Sequence, residues 1–334
     1  MTKIDIGPMG RQPELSVIAP VYNESRNIEA LLKRLIPVLE RCVASFEVIF
    51  VDDGSSDDTL AHLRAAHAHD PRIRALSLSR NFGKEIAIAA GLDHVGGAAA
   101  VIMDADLQHP PELIETFVAR WREGYKNVFA QRADHSVYNP LRRILTQHFY
   151  KLFGSLGDTR LPEGAGDFRL LDAQAVAALR TMREHARFSK GLYAWIGFKS
   201  VGVPFDAEPR LHGASKFSYR KLASLALNGL MSFSTLPLKV WSYVGLATSL
   251  LALTLASFYL VRTLLFGVDV PGYASLIVSI TFFAGIQLLS LGIIGEYIGR
   301  IFAEVKRRPL YLIEERVGFP SREADPSFVR SHVG

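Results

Sequence analysis

Acidic side chains follow two apolar segments of the chain, and their spacing suits the binding of a divalent cation. Asp104 and Asp106 are separated by a single residue, Ala105, and the pair comes directly after residues 98–103. The acidic and hydroxyl-rich residues 52–57 follow a second apolar segment, residues 46–51. Two carboxylates at this spacing can converge on Mg²⁺ or Mn²⁺, which prefers oxygen ligands and shares its shell with substrate phosphates. The predicted chemistry is the neutralisation of a diphosphate leaving group.

Other motifs that bind nucleotides or metals are missing, and part of the acidic pattern has a structural interpretation. Asp and Ser favour turns and helix N-caps, so Asp57 and Asp58 are equally well explained as capping residues. The chain has neither a G-x-G-x-x-G nor a G-x-x-x-x-G-K-[ST] motif, which leaves a dinucleotide site and a P-loop without support. His62, His67 and His69 are interpreted as a solvated helix face rather than as metal ligands.

Strand-like and helix-like segments alternate through residues 15–123. Strands are predicted for residues 15–20, 46–51, 73–78 and 98–103, and helices for residues 28–39, 57–68, 84–94 and 111–123. This alternation predicts an α/β domain with a mostly parallel, doubly wound sheet. Ligands of such sheets bind at the carboxyl ends of the strands, where both acidic clusters fall.

Two charge-free stretches near the C-terminus predict membrane spans. Residues 240–261 lie between Lys239 and Arg262, and residues 270–295 lie between Asp269 and Glu296. As a helix the first is roughly 33 Å long, enough for a hydrocarbon core of about 30 Å. Trp and Tyr near the ends of the stretches are typical of membrane interfaces. The alternative is a pair of buried core helices.

The distribution of basic residues predicts the topology of these spans. The outer flanks carry Arg220, Lys221, Lys239, Arg300, Lys306, Arg307 and Arg308. The loop between the spans carries only Arg262, against Asp269. The positive-inside rule then predicts a hairpin with both termini and the α/β domain in the cytoplasm.

The composition excludes several classes of protein. With 49% hydrophobic and 21% charged residues the chain is not disordered. Its single cysteine, Cys42, excludes an intramolecular disulfide and a Cys-based zinc site. The net charge of +5 is compatible with anionic lipid, a phosphorylated substrate or nucleic acid, but no basic-aromatic motif supports nucleic acid. Residues 1–14 contain no apolar run, so no cleavable signal peptide is predicted.

Several motifs resemble glycosyltransferase family 2, the inverting nucleotide-sugar transferases of GT-A fold. They are V-I-A-P-V-Y-N-E at 17–24, V-D-D-G-S at 51–55 and D-A-D-L-Q-H-P-P at 104–111. Four more motifs resemble the polyprenyl-phosphate glycosyltransferases: R-N-F-G-K-E at 80–85, G-D-F-R-L at 166–170, F-S-T-L-P-L at 233–238 and G-E-Y-I-G-R at 295–300. That group includes dolichyl-phosphate mannose synthase and the GtrB-type bactoprenol glucosyltransferases, and the latter are the closer match. The resemblance covers residues 16–312.

The resemblance implies roles for individual residues. The implied donor-binding residues are Pro20, Tyr22, Glu24, Asp52, Lys84, Asp104 and Asp106. The implied metal and diphosphate ligands are Asp104, Asp106 and Gln108, with Mg²⁺ or Mn²⁺ as the cofactor. The implied contacts to the acceptor phosphate are Arg132, Arg143, Arg210, Ser215 and Lys216, with Arg142 as an alternative to Arg143. Residues 210–216 resemble the mobile acceptor loop of the family.

Asp167 is implied to be the catalytic carboxylate, acting either as a base or by orienting a neighbouring group. It lies in a glycine-rich turn in which the backbone can approach a ligand closely. Its structural alternatives are the capping of that turn and an ion pair with Arg169.

The expected reaction is inverting transfer of a hexose, glucose from UDP-glucose, to polyprenyl (undecaprenyl) phosphate on the cytoplasmic face of the bacterial inner membrane. The alternatives are another donor (a UDP-amino-arabinose derivative, a UDP-N-acetylhexosamine or GDP-mannose) or a non-catalytic membrane scaffold. The intact Asp104, Asp106, Gln108 and Asp167 argue against a scaffold. The Q-x-x-R-W motif of processive synthases is missing, since Arg120-Trp121 follows Val118 and lies too early, so polymer synthesis is disfavoured.

The expected partners are therefore a nucleotide-sugar donor, a polyprenyl phosphate and the membrane, and a homo-oligomer is allowed. The predicted organisation is an N-terminal tail at 1–14, a cytoplasmic GT-A domain at 15–217 and a juxtamembrane interfacial helix at 218–238. A two-helix transmembrane hairpin at 239–300 and a cytoplasmic tail at 301–334 complete it.

Overall fold

A computed structural model describes residues 12–132, 164–185, 187–205, 236–266 and 272–319. The chain divides into two compact units. One is an α/β unit, which includes the segment Arg308–Gly334 as well as Met1–Ala223. The other is a helical unit, Ser224–Arg307.

The regular elements of the described residues are named in chain order. The strands are β1 Leu15–Val21, β2 Phe46–Asp52, β3 Ile73–Leu78, β4 Ala99–Ile102, β5 Asn127–Arg132, β6 Ala165–Asp172, β7 Ser200–Phe205 and β8 Ile313–Val317. The helices are α1 Ser25–Cys42, α2 Thr59–His69, α3 Lys84–His94, α4 Leu113–Arg122, α5 Ala173–Thr181, α6 Ser189–Trp195, α7 Leu236–Phe266 and α8 Tyr273–Val305.

The strands of the α/β unit form one sheet in the order β7-β5-β6-β4-β1-β2-β3-β8. The neighbours β4, β1, β2 and β3 are parallel, and β5 pairs with β7 in parallel, which confirms the predicted mostly parallel sheet. Strand β6 runs antiparallel between β4 and β5, and β8 runs antiparallel at the edge beside β3. Segment alternation did not predict these two strands, because it identifies strands without saying how distant ones pair.

The core of the α/β unit lies on both faces of this sheet. Strand β2 is buried along its whole length, as expected for a parallel strand covered by helices on both faces. Helix α1 contributes Ile28, Leu31, Leu35 and Leu39, whose spacing of three and four residues puts them on one helical face. Helix α4 begins at Leu113, two residues after the predicted start.

The C-terminal segment is part of the α/β unit, which corrects the prediction of a tail at 301–334. Residues up to Val305 belong to α8, and Ile313–Val317 form β8 in the sheet. The Leu312 carbonyl accepts from the Ser79 N–H at 2.9 Å, and the Tyr311 hydroxyl donates to Asp93 at 2.8 Å. The chain therefore leaves the α/β unit before α7 and rejoins it after α8.

The two helices of the helical unit are longer than the predicted spans. Within the described ranges one stretch, Phe282–Val305 in α8, is long and apolar enough to cross a membrane by length and composition, and Tyr243–Leu255 in α7 is a shorter apolar stretch. Large apolar side chains on both helices are exposed, among them Leu250, Phe258, Phe282 and Leu288. The two-span hairpin is not confirmed and stays a prediction. Almost all of the predicted interfacial helix lies outside the described residues.

In the turn after β2, the backbone at Gly54 lies very close to the backbone of the loop between β3 and α3. Gly54 has a φ of 69°, a left-handed conformation that favours glycine. A Cβ atom at Gly54 would lie 2.5 Å from the carbonyl carbon of Arg80 and 2.8 Å from the backbone nitrogen of Asn81. The loop between β3 and α3 therefore rests directly on this glycine.

We expect Gly54→Ala to destabilise the α/β unit more than Gly124→Ala. Gly124 also has a positive φ, of 93°, but a Cβ there meets no atom within 4 Å. Gly124→Ala should cost about 1–2 kcal/mol for the left-handed conformation alone. Gly54→Ala should cost at least about twice as much, because the Arg80 backbone must also move. Denaturant unfolding of the two purified variants measures the difference, and equal midpoints would contradict the close approach.

Candidate active site

The loops after β1 and β2 are joined by hydrogen bonds at the carboxyl edge of the sheet. Asn23 has a φ of 56°, which Asn tolerates better than most residues. Its N–H donates to the Ser55 hydroxyl at 2.9 Å, and its Oδ1 accepts from the Ser56 N–H at 2.8 Å. The Glu24 N–H donates to Thr59 Oγ1 at 3.0 Å. The loop predicted to bind a nucleotide is therefore anchored on the neighbouring loop.

The adjacent acids Asp52 and Asp53 hold the loops at this edge in place by accepting hydrogen bonds from them. Both are buried. Asp52 accepts from the Ser55 N–H and from the Ser77 hydroxyl, each at 3.0 Å. Asp53 accepts from the N–H groups of Phe82 and Gly83 at 2.7 and 2.9 Å. The donor contact predicted for Asp52 stays a prediction, since in this structure both oxygens accept hydrogen bonds from the protein.

The contacts of Asp53 fix the start of α3, and Lys84 is the first residue of that helix. The backbone turns into α3 at Gly83, whose φ is 98°. Sequence reasoning did not assign a role to Asp53. The available signal was its position in the same D-D-G-S motif as Asp52.

The pairing of β6 with β4 brings Asp167 to Asp104. In this antiparallel register Ile102 lies opposite Arg169. Asp104 lies two residues beyond the end of β4, and Asp167 lies two residues before Arg169 in β6, so the chain direction at this pairing brings them to the same edge of the sheet. The spacing of 63 positions in the sequence gives no hint of this contact.

Lys84 bridges these two carboxylates. Its Nζ lies 2.7 Å from Oδ1 and 2.9 Å from Oδ2 of Asp104, and 2.9 Å from Oδ2 of Asp167. The Lys84 side chain is 41% exposed and that of Asp167 is 18% exposed. Oδ1 of Asp167 is buried, with no hydrogen-bond partner among the described residues.

Charges at the site change the ordinary pKa values of its members. Burial opposes the positive charge of Lys84, but Asp104 and Asp167 outweigh it and raise the pKa of Lys84. Burial would likewise raise the pKa of Asp167, but the positive charge of Lys84 overcomes it and holds that pKa well below its usual range. At neutral pH Lys84 is an ammonium and Asp167 a carboxylate of low basicity.

The loop of the Asp-x-Asp pair turns sharply at the sheet edge. Leu107 has a φ of 58° and is buried, so a core side chain fixes an unusual backbone conformation. The Gln108 N–H donates to Asp106 Oδ1 at 3.1 Å. Asp104, Asp106 and Gln108 therefore follow the same strand end, as the sequence predicted.

The donor set of this loop fits a hard divalent cation that also binds phosphate oxygens. Among the described residues no three His, Cys, Asp or Glu side chains form a metal-binding group. Asp104 and Asp106 supply two carboxylates, Gln108 supplies an amide, and such an ion takes its other ligands from substrate phosphates. Asp104, Asp106 and Asp167 supply three carboxylates, and the positive charges near them are those of Lys84 and, acting on Asp167, of Lys190 and Arg169. A cation that accompanies an entering diphosphate would reduce its repulsion by these carboxylates.

A layer of buried polar residues behind the bridge was not predicted from the sequence. Glu85 accepts from both the N–H and the hydroxyl of Ser189 in α6. The Arg169 guanidinium lies 3.7 Å from the ring centroid of Tyr193, one turn further along α6. One face of α6 thus contacts the neighbours of both Lys84 and Asp167. Burial, and then the charge of Asp167, raise the pKa of Glu85.

His109 forms a second support, directly after the Asp-x-Asp loop. Its ring lies 5.2 Å from that of Phe168 and 5.3 Å from that of Phe205, centroid to centroid. Burial lowers the pKa of His109 despite the nearby carboxylates, so its imidazole is neutral at neutral pH. It packs against the residue that follows Asp167.

The remaining predicted site residues divide between this edge and the parts of the chain that are not described. Pro20 is near the end of β1, and Tyr22, 38% exposed, follows that strand. Arg132 ends β5, which runs in the same direction as β4, so it reaches the same edge of the sheet. The acceptor residues outside the described ranges are Arg142, Arg143, Arg210, Ser215 and Lys216.

This edge defines an α/β enzyme domain with an acidic ligand site at the carboxyl ends of its strands. The sequence profile of Glycosyl transferase family 2 matches residues 16–179. A Synechocystis protein called an uncharacterized glycosyltransferase is 48% identical over 305 residues, which is 91% of this chain and 96% of that protein. The SfII prophage-derived bactoprenol glucosyl transferase of Shigella flexneri is 40% identical over 302 residues, which is 90% of this chain and 98% of that protein.

The chain belongs to glycosyltransferase family 2 and is a glycosyltransferase. Among solved structures, the mannosyltransferase PcManGT of Pyrobaculum calidifontis is similar at a TM-score of 0.46 and 18% identity, covering 84% of each chain. That likeness is too distant to carry an argument about ligands.

We expect Asp167→Asn to lose most of its turnover by the same factor at every pH between about 6 and 9. A base whose loss matters would give a deficit that shrinks at high pH, whereas the loss of an orienting carboxylate gives a constant deficit. The lowered pKa of Asp167 favours the second of these two predicted roles. The matched control is Asp93→Asn, which removes an acid paired with Arg183 at 2.6 Å. Asp93 is nine residues along α3 from Lys84, about 14 Å away along the helix axis.

The measurement is the pH profile of kcat for sugar transfer by both variants. Asp93→Asn should follow the wild-type profile. A deficit of Asp167→Asn that disappears at high pH would contradict the orienting role and favour a base.

Proposed function

We propose that the protein transfers a hexose, glucose from UDP-glucose, to undecaprenyl phosphate at the cytoplasmic face of a bacterial inner membrane, with inversion at the anomeric carbon. The observation that carries the proposal is the Lys84 bridge between Asp104 and Asp167, beside Asp106. The name of the Shigella flexneri relative, a bactoprenol glucosyl transferase, supports glucose as the sugar and a lipid acceptor.

The acceptor phosphate needs alignment more than activation. A phosphate monoester has a second pKa of about 6, so it is largely deprotonated at neutral pH. One of its oxygens attacks the anomeric carbon in line, and the bond from that carbon to the diphosphate oxygen breaks on the opposite face. The electron pair of that bond leaves with the UDP. The enzyme therefore contributes orientation and charge stabilisation rather than a strong base.

The residues of the site divide this work. Asp104, Asp106 and Gln108 would hold a divalent cation, which would neutralise the leaving diphosphate when bound. Lys84 carries a positive charge that can stabilise the negative charge developing on the diphosphate. Asp167, in contact with Lys84, is proposed to orient the reacting groups.

Arg132 is proposed as a contact to the acceptor phosphate on the resemblance. It ends β5, which runs in the same direction as β4. Arg143, Arg210, Ser215 and Lys216 are proposed as further acceptor contacts on the resemblance alone.

The test uses purified protein, radiolabelled UDP-glucose and undecaprenyl phosphate, followed by organic extraction of labelled lipid. Labelled UDP-N-acetylglucosamine, a UDP-amino-arabinose derivative and GDP-mannose run in parallel. We expect label in the lipid fraction with UDP-glucose, and much less of it with Asp167→Asn. Label with another donor only would correct the sugar. No labelled lipid with any donor would overturn the transferase proposal in favour of a non-catalytic scaffold.

We expect a chelator to abolish this transfer and either Mg²⁺ or Mn²⁺ to restore it. Asp106→Asn should lower turnover by about a hundredfold or more and weaken UDP binding in the presence of metal, because a metal carboxylate is lost. Asp58→Asn is the control, since Asp58 is an exposed acid whose side chain forms no cap hydrogen bond at α2. Full activity of Asp106→Asn, or of the chelated enzyme, would show that the metal assignment is wrong.

The proposed membrane topology is a hairpin of α7 and α8 with both termini cytoplasmic. Its support is the chain path: the α/β unit precedes α7, and β8 returns to the same sheet after α8. A folded domain lies on one side of a membrane, so the chain between these points crosses an even number of times. The exposed apolar side chains of both helices suit lipid.

We expect a reporter fused after Gly334 to be active only if it is a cytoplasmic reporter. A reporter inserted between α7 and α8, within residues 267–271, should be active only if it is a periplasmic one. The reason is the strong basic bias of the outer flanks. Periplasmic activity of the fusion after Gly334 would contradict the hairpin and the side proposed for the reaction.

A further inference from the structure

The ammonium of Lys84 contacts both oxygens of the Asp104 carboxylate. The two distances are 2.7 and 2.9 Å, and a third contact of 2.9 Å joins the ammonium to Asp167. The Asp104 side chain is 26% exposed, so a metal ion can reach it, but an ion that arrives alone meets the positive charge of Lys84 at the same carboxylate. The bound ammonium therefore opposes metal binding in the absence of a nucleotide.

We infer that Lys84 is an internal counter-cation, which holds Asp104 until metal and nucleotide arrive together. The inference rests on the proposed metal and diphosphate chemistry of the site. When the diphosphate enters, the ammonium moves from Asp104 to the phosphate oxygens, and Asp104 becomes available to the metal. Metal and nucleotide then bind cooperatively, and metal without nucleotide binds weakly.

Electrostatics gives this coupling its direction. Two cations on one carboxylate lie within about 4 Å of each other and repel strongly in a partly buried site. Without a nucleotide the displaced ammonium would have only Asp167 as a described partner. A diphosphate supplies new negative oxygens at the same place, so the ammonium regains a partner as the metal takes Asp104.

The mobility required is confined to a side chain. The backbone at Lys84 is fixed, because Asp53 binds the two preceding N–H groups and α3 begins there. The lysine side chain has a flexible four-carbon stem and a point charge, so it can exchange partners without any movement of the backbone. Its 41% exposure leaves room toward the open side of the site. Asp167 remains in contact during the exchange and limits how far the ammonium moves.

The experiment measures Mn²⁺ binding to the full-length protein by electron paramagnetic resonance, with and without saturating UDP. Wild type should bind Mn²⁺ weakly alone and much more tightly with UDP. Lys84→Met should bind Mn²⁺ alone about tenfold more tightly than wild type or better, since the competing charge is gone. In the presence of UDP, the Mn²⁺ affinity of Lys84→Met should not exceed that of wild type by the same factor. The factor by which UDP tightens Mn²⁺ binding is therefore smaller in Lys84→Met than in wild type.

Lys190→Met is the matched control for a general change of electric field. Lys190 also lowers the pKa of Asp167 by its charge, but the described contacts of Asp104 are made by Lys84. Lys190→Met should change the Mn²⁺ affinity less than about threefold. Equal gains in both variants, or no gain in Lys84→Met, would overturn the counter-cation role.

Lys84→Arg tests whether charge is the cause. It keeps a cation beside Asp104, so its Mn²⁺ binding without UDP should stay close to that of wild type. Tight binding by Lys84→Arg, equal to that of Lys84→Met, would also overturn the inference. Circular dichroism and thermal unfolding establish that each variant is folded, and if Lys84→Met does not fold, Lys84→Gln takes its place.

Thermodynamic linkage provides an internal check. The factor by which UDP tightens Mn²⁺ binding must equal the factor by which Mn²⁺ tightens UDP binding, so calorimetry of UDP binding measures the same coupling independently. These assays contain neither sugar nor lipid. Failure of lipid labelling would therefore count against the proposed reaction alone, whereas an unchanged Lys84→Met would count against the counter-cation alone. Wild type that binds no Mn²⁺ even with UDP would overturn the inference.

Discussion

The antiparallel insertion of β6 beside β4 is the constraint on which the candidate active site depends. Strand β6 extends the sheet beyond β4 but runs in the opposite direction to it, so the beginning of β6 lies beside the end of β4. Asp167 and Asp104 become neighbours through that reversal. A parallel β6 would carry Asp167 to the other end of the sheet, away from the Asp-x-Asp loop. Residues 168–171 of β6 are buried on both faces of the sheet, so a slip by one residue would exchange the side chains that pack on the two faces.

The charge arrangement of the site follows from this register. Two strand ends supply carboxylates to one place, and a helix that begins at the same edge supplies the lysine between them. Neighbouring residues hold this arrangement in place. Asp53 accepts hydrogen bonds from the two backbone N–H groups before Lys84. Helix α6 contacts Glu85 through Ser189 and Arg169 through Tyr193. The result is a site in which the ammonium of Lys84 contacts two carboxylates directly, as the proposed binding of a diphosphate and a metal uses.

The return of the chain to the sheet at β8 connects the two units of the protein. A C-terminal strand pairs with β3, and the salt bridge of Glu315 with Arg64 lies beside that pairing. The segments before and after the helical unit belong to one folded unit, so insertion of the two helices into a membrane, as proposed, would attach that unit to the membrane at two points of the chain.

The sequence by itself determined the strands β1 to β4, the helices between them and the mostly parallel sheet, because apolar runs and helical periodicity are local signals. It also located Asp104, Asp106 and Gln108, since a short motif after a strand needs no tertiary information. The tertiary structure alone decided that β6 is antiparallel, that β8 is a strand of the sheet rather than a tail, and that Lys84 bridges Asp104 and Asp167. It alone placed Asp53, Glu85 and His109 around the site. These contacts join segments that are far apart in the chain, and their geometry is set by strand pairing and burial, which no local pattern of residues records.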